Sequence, residues 1–161
     1  MTKDEYEARI AKLKSRYSYL FAGEHLEHDI APGWLAIVEQ LCHKIDETLA
    51  EAERPAVRFL QIKEKLGSLR TYLKVLPARI DSVGAGGERL SGRPAKAAAP
   101  DIASRLAPFV SEAEEKSFQT CEFCGAAGRL RTDRDWIRTL CDKHASTHTP
   151  DPNDEFESTN P

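Results

Sequence analysis

The sequence predicts an α+β fold: N-terminal helices packed on a β-hairpin, followed by a C-terminal helix and a treble-clef zinc finger. Two helical apolar stripes come first, then two β-rich runs around a glycine, then two Cys/His pairs. Tyr6, Ile10, Leu13, Tyr17, Leu20 and Phe21 recur at spacings of three and four, one face of a helix that Gly23 ends. Pro32 suits the first turn of a second helix, whose stripe runs through Trp34, Ile37, Val38, Leu41, Ile45 and Leu49. Pro55 should stop that helix near Glu53. The stretch between the helices, EHLEHDIA, reads as a loop.

The runs AVRFLQI and LRTYLKV are β-branched and aromatic, and KEKLGS between them holds Gly67, which can supply a positive φ. They form a hairpin that needs the helices to cover its apolar face. Residues 1–83 are thus one helix-helix-hairpin domain. Residues 84–99, with four glycines and one proline, read as a flexible loop or linker. Ile102, Leu106, Phe109, Val110 and Ala113 then mark a third helix that Pro108 should kink or split. With the finger this helix makes a unit over 100–148, and 149–161 reads as a disordered acidic tail.

The chemistry-bearing pattern is CEFCG at 121–125 and CDKH at 141–144. Each pair is separated by two residues, so the chain can fold back and aim both donors at one ion. Two such pairs supply the four N/S ligands of a tetrahedral zinc site, with Cys121, Cys124, Cys141 and His144 as ligands and one structural Zn²⁺ as cofactor. His148 is the other candidate for the fourth position, and a redox pair at Cys121 and Cys124 is the alternative chemistry. The glycine-rich GAAG after Cys124 disfavours the helix that a thioredoxin-type pair opens. A hairpin over 129–140, with its turn at 132–135, and a short helix from Asp142 complete the treble-clef order.

Catalysis is not expected. Four ligands leave no position for water, and 125–140 contains no histidine to activate one. No phosphate-binding glycine loop or nucleophile elbow is present. Cys42, alone beside the second apolar stripe, reads as a small buried hydrophobe. His25, His28 and His43 have no ligand spacing.

Net charge is −3, unevenly spread: residues 1–54 carry eleven acids and seven bases, whereas 63–96 carry eight bases and three acids. Lys63, Lys65, Arg70, Tyr72 and Lys74 are therefore the candidate partner-binding residues, joined by Arg89, Arg93 and Lys96 from the loop. Alternation puts Arg70 and Tyr72 on one face, opposite Leu69, Thr71 and Leu73. An acidic protein partner is expected, with a nucleic-acid-binding regulator as the alternative. The finger argues against the latter, because Glu122, Asp133, Asp135 and Asp142 nearly cancel its arginines and Lys143. No run approaches a membrane span and no secretion signal opens the chain, so the cytoplasm is expected, where thiols stay reduced and read as metal ligands before disulfides.

Gly33-Trp34 opening a helix, QIKEKLGSLRTYL at 61–73, and CEFCG with WIRTLCDKH at 121–144 together resemble a group of small bacterial and prophage proteins. These share a KEK-hydrophobic-G-x-L-R-x-Y hairpin followed by a treble-clef finger. The resemblance spans most of the chain apart from 84–99 and the tail. Proteins of this size and genomic style include toxin-immunity proteins and phage counter-defence inhibitors, and by that analogy a protein-binding role of the inhibitor or immunity type is expected.

Overall fold

The computed structural model describes residues 1–23, 27–76, 98–132 and 136–147. Helix α1 (Lys3–Arg16) opens on a capping box, in which Thr2 and Glu5 satisfy each other's backbone N–H groups. It ends a turn before its apolar stripe does. Residues 17–21 form tight turns instead, and the Leu20 carbonyl accepts a hydrogen bond from the Phe59 N–H at 2.8 Å. That tertiary bond fixes the end of the stripe on the sheet, with Tyr17 and Leu20 still buried.

Pro32–Trp34 form one 3-10 turn that leads into α2 (Leu35–Thr48). Helix α2 stops before Glu53, because Leu49 turns extended and buries its side chain. A second 3-10 stretch, Glu51–Ala56, absorbs Pro55.

The sheet has the order β1-β2-β3. Strands β2 (Val57–Lys65) and β3 (Ser68–Val75) form the expected antiparallel hairpin. The two-residue strand β1 (Glu27–His28), in a segment read as loop, pairs parallel with β2. Two residues are too few for a period-2 signal. Leu66 and Gly67 make the hairpin turn with φ of 53° and 75°, the pair of positive values a two-residue type I′ turn demands. A bulge between Phe59 and Gln61 interrupts the ladder. It lets both Phe59 and Ile62 point inward and leaves Leu60 outside.

Helix α3 (Ala98–Ser117) runs unbroken through Pro108. Interior proline costs about 3 kcal/mol, but both halves of this helix are anchored. Ile102, Leu106 and Ala113 lie in the same core as Trp34, Leu35, Leu41, Ile45 and Phe59. Arg105 pairs with Glu53 at 2.5 Å, Lys44 with Glu112 at 2.5 Å, and Arg70 with Glu114. At its C-terminal end the Ser117 hydroxyl accepts the Leu69 N–H at 2.9 Å, occupying an outward-facing donor of edge strand β3. So α3 shares its core with α1, α2 and the hairpin, although the finger follows it directly in sequence. The 84–97 part of the expected linker and the tail from 149 lie outside the described residues. Among the described residues no helix is long and apolar enough to cross a membrane.

Candidate metal centre

Beyond α3 the chain makes a knuckle, a small hairpin of β4 (Arg129–Arg131) and β5 (Arg138–Leu140), and α4 (Asp142–Thr147). The knuckle closes when the Gly125 N–H reaches the Cys121 carbonyl at 2.9 Å, with Gly125 at φ 75°. A left-handed residue there favours glycine. Strand β5 is stitched to the knuckle by the Glu122 N–H and Thr139 carbonyl, 3.0 Å apart. It delivers Cys141 beside the first pair, and the first turn of α4 brings His144 back over it.

The donor atoms of Cys121, Cys124, Cys141 and His144 all lie within 4.8 Å of one another, so the four could hold one metal ion. Cys124 Sγ and Cys141 Sγ are 3.8 Å apart, and His144 Nδ1 is 3.3 Å from Cys121 Sγ and 3.2 Å from Cys141 Sγ. Cys121 and His144 are buried, Cys141 half-buried and Cys124 exposed. Burial pushes the Cys121 thiol up to about 12. At Cys141 burial works the same way, but the His144 N–H and the neighbouring thiols outweigh it and hold its pKa below the ordinary value. Phe123 and Leu140 seal the inner side, the Phe123 ring 5.4 Å from that of His144. His148, the other candidate ligand, lies outside the described residues, as do Asp133–Asp135 at the expected turn.

The finger is fastened to the body at two glycines. The Gly33 N–H donates to the Glu122 carbonyl at 2.6 Å, and the neighbouring Trp34 Nε1 donates to the Thr120 carbonyl at 2.8 Å. At the hairpin tip the Thr139 hydroxyl donates to the Gly67 carbonyl at 2.6 Å, and the Leu130 side chain lies where a Gly67 Cβ would be. The three segments that carry the resemblance therefore meet at one place. Spacing alone gave no sign that Gly33 and Gly67 serve the finger.

Three of the finger's arginines meet two carboxylates. Arg138 meets Glu122 at 2.8 Å, and Asp142 takes Arg131 at 2.6 Å and Arg129 at 3.5 Å. A cavity of about 510 Å³ opens beside the cluster, with Arg9, Ile37, Phe123, Cys124, Lys143 and His144 in its lining. A second of about 580 Å³ follows α1 and α2 past Lys12, Arg16 and His43.

The candidate partner-binding residues separate into two groups. Lys63, Lys65, Tyr72 and Lys74 face solvent wholly or in part, with Lys63 Nζ 5.9 Å from the Tyr72 ring centre. Arg70 shares their side of the strand, opposite buried Leu69, but its guanidinium is engaged by Glu114 of α3. Arg89, Arg93 and Lys96 lie outside the described residues. Cys42 is fully buried, and burial raises its thiol to about 12, as suits a core residue.

These features define an α+β protein with a Cys₃His cluster clamped between a 3-10 turn and a hairpin tip. Comparison with family models, with curated proteins and with solved structures finds no match.

Proposed function

We propose that the chain is a non-catalytic protein-binding module whose finger is held by one structural zinc ion. The carrying observation is the closed Cys₃His set. Zinc–sulfur bonds of about 2.3 Å at tetrahedral angles separate two sulfurs by about 3.8 Å, and the Cys124–Cys141 distance is 3.8 Å. Four protein ligands fill the coordination sphere, which supports a structural ion over a catalytic one. When bound, zinc would supply cohesion, joining the knuckle to α4 and keeping the finger on Gly33 and Gly67. The resemblance adds, by analogy, the inhibitor or immunity-type role, and three cysteine ligands suit the reducing cytoplasm.

Native mass spectrometry of the full chain tests the zinc reading. One zinc per chain is expected, lost when Cys121 or Cys141 becomes Ser. On chelation, hydrogen exchange should rise in 120–147 and at the Leu66–Gly67 turn, while α1, α2 and α3 stay protected by their common core. A folded, metal-free protein with an unchanged exchange map would defeat this reading.

A further inference from the structure

We infer that the outward face of the β2–β3 hairpin, with its Leu66 tip, takes an acidic protein surface, and that Leu60, Leu66 and Tyr72 are its apolar anchors. This rests on the protein-binding reading above and gives it a location and a chemistry.

The first support is charge. Several cations elsewhere on the body meet carboxylates, Arg9 pairing with Glu39, Arg54 with Asp46 and Arg105 with Glu53, and on the hairpin itself Arg70 is held by Glu114. On the outward side of the hairpin, Arg58, Lys63, Lys65 and Lys74 have no ion pair among the described residues. The hairpin's one acid, Glu64, turns its carboxylate to the Gly67 N–H at 2.6 Å. A face of one sign steers encounter and selects a partner of the other.

The second support is exposed apolar surface. Leu60 is 49 %, Leu66 59 % and Tyr72 43 % exposed, and these are three of the five large apolar side chains so exposed among the described residues. A fourth, Leu130, reaches Gly67 beside the tip. The bulge places Leu60 next to Gln61, the cross-strand partner of Tyr72. Apolar anchors within a charged rim are the usual anatomy of a binding patch.

The third support is backbone cost. Leu66 holds φ 53° in a turn whose first position favours asparagine or glycine. A leucine there opposes local preference and stays more than half exposed, which points to a use for its side chain outside the fold.

A protein fits this face better than a nucleic acid does. Leu60 and Leu66 offer aliphatic contact, whereas a single-strand site needs successive aromatic platforms. Tyr72 is the one exposed aromatic of the hairpin, and the net charge of −3 disfavours phosphate.

The test immobilises the chain, passes extract of the source organism over it both untreated and nuclease-treated, and repeats this with three variants. These are Leu66→Asn, the double change Leu60→Ser with Tyr72→Ser, and the double change Lys63→Glu with Lys74→Glu. A protein retained by the unaltered chain should be held about tenfold or more weakly by each variant. Leu66→Asn is decisive, because its melting temperature should stay level or rise, so its loss of binding cannot be misfolding. Retention unchanged in all three variants overturns this surface while leaving the protein-binding reading intact. Retention that vanishes on nuclease treatment overturns both in favour of nucleic acid, and no retention by the unaltered chain overturns both outright.

Discussion

The Gly33 N–H donates to the carbonyl of Glu122 at 2.6 Å, and a methyl group on Gly33 would sit 2.0 Å from the carbonyl oxygen of Cys121. This glycine is required by space rather than by φ, since the atoms it faces are the backbone of the metal knuckle. The relationship ties the start of α2 to the finger across nearly ninety residues of chain, and Trp34 Nε1 repeats the tie one residue on.

Gly33→Ala should therefore act at a distance on the cluster. The obstructing atoms are main-chain atoms of Cys121, Glu122 and Gly125, which cannot rotate aside. Overpacking of this kind costs about 1–3 kcal/mol, and part of it should appear as faster loss of metal to a chelator. A variant that melts with the unaltered chain and keeps its metal equally long would show that the finger does not need this contact.

Arg70 and Glu114 form the pair that joins β3 to α3, each side chain about one-third exposed. Screened pairs of this type contribute about 1 kcal/mol or less. Arg70→Glu puts two carboxylates face to face, so it should lower stability before it changes any interaction with a partner. The double change Arg70→Glu with Glu114→Arg should restore the melting midpoint, giving a coupling of about 1 kcal/mol in a double-mutant cycle. Additive single effects would mean that the two side chains do not interact in solution.

Much of this was legible in the sequence, and the rest was not for identifiable reasons. The 3.6-residue stripes located α1, α2 and α3, and the two CxxC/CxxH spacings located all four donor atoms. Gly67 marked the turn. What pattern could not show were effects of tertiary contact. The stripe of α1 runs on to Phe21, but the Leu20 carbonyl is claimed by Phe59 and the helix stops early. Pro108 stays within one helix because the core and three ion pairs hold both sides of it. The bulge that exposes Leu60 leaves no mark in a run where every second residue could serve as apolar. Arg70 looked available because its partner is forty-four residues away.

Glu112 gives the fold a defined response to acid. Its carboxylate accepts from Lys116 at 2.8 Å, one turn on, and from Lys44 of α2 at 2.5 Å. Hydrogen bonds to Lys116 first and Lys44 second hold its pKa at about 2, against an ordinary value of 4.5. Glu53 is lowered in the same sense, by the Ala50 N–H first and then by Arg105. A carboxyl whose pKa is depressed on folding adds stability above its unfolded pKa, and that share is lost as pH falls through the folded value. The α2–α3 contact should therefore weaken progressively from about pH 4.5 down to about pH 2. Glu112→Gln should reduce stability at neutral pH and flatten the acid side of the melting-temperature profile over that window. Because Glu53 acts through Arg105 at the other end of α3, some acid dependence should persist in Glu112→Gln and shrink further in the double variant with Glu53→Gln. Identical acid profiles for the unaltered chain and Glu112→Gln would show that the two lysines do not hold this carboxylate in solution.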